Sequence, residues 1–202
     1  MTRGRPRKTD IDTVLDRAMK LFWKNGFEAT SMNDITAETG MAKPGLYNCF
    51  GNKEALYAKA LDRYINVFGV SVAELAASAG PLEHALREFL LAVARSVTDA
   101  GTPCGCFLTN TLVENSDKPS EIAALGRQLN ERRNRALSER FHRAAAAGEL
   151  GQDADPDALS AFFSAQALAL GALASSGSDF PELCRYIDTA MTVLPPAPMA
   201  PA

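Results

Sequence analysis

The run Thr30-Ser31-Met32-Asn33-Asp34-Ile35-Thr36-Ala37-Glu38-Thr39-Gly40-Met41-Ala42-Lys43-Pro44-Gly45-Leu46-Tyr47-Asn48-Cys49-Phe50-Gly51 holds two short helices and one tight turn. Thr30 and Ser31 cap the first helix, which carries Met32, Ile35 and Thr36. It ends at Gly40, where the turn needs an unhindered backbone. Pro44 suits the first turn of the next helix, because its missing N–H has no partner to lose there. Leu46, Tyr47 and Phe50 follow, and Gly51-Asn52 closes the segment. Upstream, Thr9 is expected to cap a helix with Asp12 in a capping-box-like place. Its apolar positions are Ile11, Val14, Leu15, Ala18, Leu21 and Phe22, and Asn25-Gly26 ends it. Three short helices, the last two joined by a tight turn, form a helix-turn-helix pattern.

Downstream, a longer helix is expected over 53–79, with Leu56, Ala60, Tyr64, Val67, Phe68 and Leu75 as its apolar positions before Gly80-Pro81 breaks it. Further helices are predicted over 82–99, 104–115, 119–147, 157–175 and 179–194. The 202 residues hold 34 alanines and 22 leucines against 13 valines plus isoleucines, a helix-forming bias that excludes an all-β protein. The expected architecture is all-α: a flexible basic arm (1–8), a helix-turn-helix domain (9–52), a larger helical regulatory and dimerisation domain (53–194) and a disordered tail (195–202).

Charge is uneven along the chain. The net charge is −3, yet residues 1–63 carry 11 Lys/Arg and 8 Asp/Glu, while the remainder carries 10 and 16. A basic end on an acidic body points to a polyanion met at one end only. Residues 158–178 lack charge, but Ser160, Ser164, Gln166, Gly171 and Ser175–Ser178 interrupt the apolar run that a spanning helix needs. A helix buried in protein fits better, and with no signal-peptide pattern the expectation is a soluble cytoplasmic protein. Four cysteines make no disulfide framework, and two distant histidines give no support to a zinc site, so no metal or cofactor is expected.

The quoted run, with Leu21-Phe22-Trp23 and Asn25-Gly26-Phe27 before it and Asn52-Lys53-Glu54-Ala55-Leu56 after it, resembles the N-terminal domain of the tetracycline-repressor (TetR/AcrR) family in order, spacing and residue type. The resemblance is close over 9–63; beyond that only the helical layout is similar. It implies a DNA-binding transcriptional regulator, a repressor relieved by a small-molecule ligand, acting as a homodimer on a pseudo-palindromic operator. Lys43, Pro44, Gly45 and Asn48 are then expected to face base edges in a major groove. Tyr47 and Lys53, with Thr30 and Ser31 at the second helix, are expected to hold phosphates. Thr36 and Thr39 depart from the alanine usual in the family, and Cys49 replaces a usual His or Tyr, so its phosphate contact is expected to be absent.

The arm Arg3-Gly4-Arg5-Pro6-Arg7-Lys8 is thin and extended, suited to placing Arg3, Arg5 and Arg7 in a narrow minor groove, and resembles an AT-hook core. Pro103-Cys104-Gly105-Cys106-Phe107 is similar to a segment of many family members. Cys106 reads either as a thiol sensor of oxidants or electrophiles, with Cys104 beside it, or as a small core residue. Phe89, Phe107, Asn110, Glu114, Phe162, Phe163, Gln166 and Leu170 are candidates to line one effector pocket, with Cys106, Phe107, Asn110, Glu114, Phe163 and Gln166 chosen as its ligand-binding set. Arg127, Arg132, Arg133, Arg135, Arg140 and Arg143 read as a solvated face, since Glu131 and Glu139 are interleaved. Residues 157–194 are expected to form the dimer contact. A cysteine-dependent enzyme lacks any local nucleophile–base motif, so no enzymatic activity is expected.

Overall fold

The computed structural model describes residues 10–68, 72–115, 120–151 and 153–195. The elements run α1 (Ile11–Asn25), α2 (Met32–Thr39), α3 (Lys43–Phe50), α4 (Lys53–Val67), α5 (Val72–Ala77), α6 (Leu82–Val97), α7 (Phe107–Glu114), α8 (Glu121–Ala146), α9 (Pro156–Ser175) and α10 (Phe180–Met191), with no strand among the described residues. The architecture is all-α, as the composition requires.

Two starts and stops differ from the sequence expectation. The N-cap of α1 is Asp10 rather than Thr9: its carboxylate accepts from the Asp12 N–H at 3.3 Å and from the Thr13 hydroxyl at 3.1 Å. A carboxylate there also complements the positive end of the helix dipole. The helix expected over 53–79 is two helices, since α4 ends at Val67 with Phe68 as its C-cap and α5 begins at Val72. Apolar periodicity carries across the gap because Phe68 packs against Trp23 and Leu75 enters the body core. The pattern of buried positions therefore hides the end of α4 at Val67. The arm and nearly all of the tail lie outside the described residues.

The helix-turn-helix is fixed by local chemistry. Ser31 and Asp34 form a complete capping box at the start of α2. Gly40 caps it in the left-handed conformation, with φ at 72°. Thr39 is buried and satisfied locally: its hydroxyl donates to the Ile35 carbonyl at 2.7 Å and accepts from the Met41 N–H at 3.2 Å. In place of a small alanine, this threonine thus ties the end of α2 to the turn. Ile35, Leu46 and Phe50 fill the wedge between α2 and α3, and Met41 packs partly buried against them.

Helix α4 joins this head to the body. An Arg63–Asp16 pair with two hydrogen bonds, 2.9 and 3.2 Å, fastens it to α1. One apolar cluster takes Val14, Phe22 and Trp23 from α1, Leu56, Tyr57 and Tyr64 from α4, Phe107 and Leu108 from α7, and Ile122 and Leu129 from α8. It crosses the expected head–body boundary. A second cluster, built on α6, α8, α9 and α10, includes Phe89, Leu137, Phe141, Phe163, Leu170 and Ile187. Helix α9, the one helix among the described residues long and apolar enough to cross a membrane, packs instead on α8 and α6 through Phe163, Ala167, Leu170 and Ala174.

The arginine face of α8 is only partly solvated. Arg140 is 1% exposed, with its guanidinium bonded to Glu149, Ser78 and the Gly80 carbonyl, and Arg133 is half-buried. Arg127, Arg132 and Arg135 remain exposed, as a solvated face requires.

Candidate nucleic-acid interface and effector site

Helix α3 presents Lys43, Pro44, Tyr47 and Asn48 outward, all exposed, while Leu46 and Phe50 anchor its inner side. Tyr47 is 50% exposed, with its side chain open to solvent on the outer face of α3. Gly45 is half-buried, backed by the Met41 side chain. Cys49 is half-buried, and its carbonyl accepts from the Lys59 ammonium at 3.3 Å.

The four expected phosphate contacts divide. Ser31 is exposed at the head of α2, although its hydroxyl is already shared with Asp34. That hydrogen bond, with a second from the Ser31 backbone, holds the Asp34 carboxyl below its ordinary value. Lys53 is half-buried with its ammonium 4.2 Å above the centre of the Phe27 ring. Thr30 is a correction. It is fully buried, and its hydroxyl donates to the Gly26 carbonyl at 2.7 Å. It braces the turn between α1 and α2, leaving no hydroxyl to meet a phosphate. Arg3, Arg5 and Arg7 lie outside the described residues.

The expected ligand set does not assemble into one pocket. Phe163 is buried in the body core, stacked on Phe141, and Gln166 accepts a hydrogen bond from the Tyr186 hydroxyl of α10. Glu114 instead faces the end of α1, where its carboxylate accepts from the Phe27 N–H at 3.4 Å. Asn110 donates to the Trp23 carbonyl at 3.5 Å, and Phe107 is enclosed by Tyr57 and Tyr64. These last three form the joint between head and body.

Cys106 stands at the centre of this joint. It is the N-cap of α7, and its sulfur accepts from the Thr109 N–H at 3.5 Å and from the Tyr64 hydroxyl at 3.4 Å. Gly171 of α9 comes so close that a Cβ there would meet the Cys106 Cβ at 2.6 Å. Cys104 is exposed and free, its thiol donating to the Ala174 carbonyl at 3.0 Å. Burial raises the Tyr64 phenol well above its ordinary pKa, and the neighbouring Cys106 adds to this.

Sequence reasoning missed three members of this cluster. Trp23, 1% exposed, packs edge-on to Tyr64 at 4.8 Å, and its indole N–H is buried without a partner. The Thr109 hydroxyl and the Arg133 Nε are also buried and unpartnered. Burial lowers the pKa of Arg133, opposed by its nearness to Cys106 and Tyr64. The sequence does carry a signal for it: Ile122, Gly126, Leu129, Arg133, Leu137, Arg140 and Ala144 recur at three- and four-residue spacing, one face of α8. Among the described residues no group of three His, Cys, Asp or Glu is placed to hold a metal ion.

A helix-turn-helix head with an exposed α3 on an all-helical body defines a helix-turn-helix DNA-binding protein. Residues 14–60 match the model of bacterial regulatory proteins of the tetR family, and residues 72–183 match the tetracyclin repressor-like C-terminal domain. The chain is 34% identical over 195 residues to the HTH-type transcriptional repressor ComR of Escherichia coli K12, covering 96% of this chain and 93% of ComR. It is 28% identical over 196 residues to the HTH-type transcriptional regulator YezE of Bacillus subtilis 168, covering 95% and 99%. It also superposes on the TetR family regulator CifR, solved as a cysteine-substituted variant with a 26-bp operator duplex, at a TM-score of 0.84 and 29% identity, covering 95% of this chain and all of that one. The chain belongs to the tetR family of bacterial regulatory proteins, and is a DNA-binding transcriptional regulator.

Proposed function

We propose that this regulator is a cytoplasmic, non-enzymatic repressor that leaves its operator when an effector binds at the joint between head and body. The observation that carries the reading is the apolar cluster running unbroken from α1 and α4 into α7 and α8. A ligand that displaces α7 or α8 must move the head. Lys43, Pro44, Gly45 and Asn48 read bases, while Tyr47, Lys53 and Ser31 hold phosphates, and Arg3, Arg5 and Arg7 enter the flanking minor groove.

Two heads on a pseudo-palindrome require two copies, with half-sites ~34–36 Å apart or a multiple of that. The contact falls on 157–194, because α9 turns Ala158, Ala161, Ala165 and Ala172 outward beside α10. Their spacing makes one stripe of small apolar side chains, which lets a symmetry mate approach closely. About 3 kcal/mol of preference for the released conformation loosens DNA by ~150-fold.

A second reading is favoured by one observation, the two hydrogen bonds accepted by the Cys106 sulfur. In it, oxidants or electrophiles modify Cys106, with Cys104 nearby in sequence, and the adduct wedges α7 from α9. A gel-shift titration on the DNA flanking the protein's own gene, with reduced and diamide-treated protein, separates the two. Binding lost on oxidation and retained in Cys106→Ser assigns the thiol. Binding indifferent to oxidation assigns a non-covalent effector, and no specific shift in either state contradicts the regulator of its own gene.

A further inference from the structure

The effector site proposed above has a chemical signature. Three buried polar groups lack a partner: the Trp23 indole N–H and the Arg133 Nε–H, which can only donate, and the Thr109 hydroxyl, which can do so. Two of the residues that carry them, Trp23 and Thr109, adjoin one pair, Tyr64 and Cys106. Trp23 packs on the Tyr64 ring at 4.8 Å, the Tyr64 hydroxyl donates to the Cys106 sulfur at 3.4 Å, and the Thr109 N–H donates to the same sulfur at 3.5 Å. Arg133 lies one turn beyond Leu129, on the face of α8 that enters the cluster of Trp23, Tyr64 and Phe107. Asn130 accepts from one of its terminal nitrogens. No carboxylate among the described residues pairs with it.

Each buried donor without an acceptor is costly, and more so where it belongs to a charged guanidinium. Each such group in a native fold calls for a partner. The missing component is therefore an acceptor bearing negative charge. The cluster offers one cation and two neutral donors, which balances a monoanion; a phosphate dianion would leave a charge uncompensated. The guanidinium fork fits the two oxygens of a carboxylate. Trp23, Tyr64 and Phe68 supply an apolar wall beside it.

We infer that the effector is a small organic carboxylate with an apolar body, its carboxylate held by Arg133 and its body lying against Trp23 and Tyr64. This rests on the reading of the joint as the effector site.

Trp23 is the only tryptophan, so tryptophan fluorescence, excited where tyrosine does not absorb, reports on this site. Full-length protein is titrated with butyrate and benzoate, and with benzamide as the neutral isostere. The expected result is a saturable change with at least one acid, at least tenfold tighter than with benzamide. Arg133→Met removes that preference, while Arg132→Met at the exposed neighbour keeps it. Melting curves verify that each variant is folded; if Arg133→Met is not, Arg133→Lys, which keeps the charge and loses the fork, is expected to weaken the acids several-fold. Absence of a saturable change with either acid, equal response to acid and amide, or a preference that survives in Arg133→Met overturns the inference. A gel shift without added acid is run in parallel. Intact operator binding beside any of those results sinks the carboxylate and leaves the regulator standing.

Discussion

Glu149 and Arg140 show how differently two members of one ion pair depend on each other. Arg140 is 1% exposed and Glu149 30% exposed at the side chain, with Nη2 and Oε2 3.1 Å apart. If Arg140 is lost, Glu149 turns to water; if Glu149 is lost, a buried guanidinium keeps only Ser78 and the Gly80 carbonyl. Glu149→Gln is therefore expected to cost about 3 kcal/mol, read from urea unfolding at neutral pH. Burial alone would raise the Glu149 carboxyl, but the hydrogen bonds from Arg140 and the Leu82 N–H outweigh it and hold the pKa below the ordinary 4.5. A lowered folded-state pKa gives stability that is present above 4.5 and lost as pH falls through the depressed value. The wild-type advantage over Glu149→Gln should accordingly shrink in acid; an advantage constant with pH would contradict the pairing. Gly171 supports a second expectation at this scale. A methyl group there meets Cys106 at 2.6 Å and Thr109 Oγ1 at 3.0 Å, so Gly171→Ala is expected to destabilise by about 2 kcal/mol through overpacking.

Among the elements, α3 divides its outer face by role. Tyr47→Ala should weaken binding alike on every operator sequence, whereas Asn48→Ala should cost about 1–3 kcal/mol at one base pair and leave mismatched sites nearly unchanged. Quantitative gel shifts on a set of single-base operator variants test this, and equal losses everywhere for both variants would defeat the division. This head is legible in the sequence because its chemistry is local. Ser31 with Asp34, Gly40 and Pro44 each act within four residues, and periodicity does the rest. The joint is not legible, because Trp23, Tyr64, Cys106 and Arg133 come from four helices whose packing no window of sequence contains. Thr30 misleads for a related reason: the same residue type serves as an exposed cap or a buried brace, and only the returning Gly26 carbonyl decides. The arginines of α8 read by composition as one solvated face, while their spacing already assigns two of them inward.

For the whole molecule, the proposed two-copy assembly sets the remaining expectations. Ala165→Glu places a charge in the middle of the exposed alanine stripe of α9 and should convert the dimer to monomer in sedimentation velocity at micromolar concentration. Loss of operator affinity is expected to follow, since two linked heads bind far better than one. Removing residues 1–8 should flatten the salt dependence of DNA binding, the slope falling by ~0.9 for each phosphate that the arm no longer neutralises. The apolar cluster that joins head to body has a practical corollary for regulator engineering. Consider a chimera that grafts this reading head onto another family member's sensor with the cut between α3 and α4. Here such a seam severs Phe22, Trp23 and Leu46 from Leu56, Tyr57 and Tyr64, and leaves Phe107, Leu108, Ile122 and Leu129 facing foreign side chains. A transplant from this protein that folds and still responds must carry those seven residues of α4, α7 and α8 along with the head, so the portable unit is a surface-matched set of side chains and not a continuous stretch of chain.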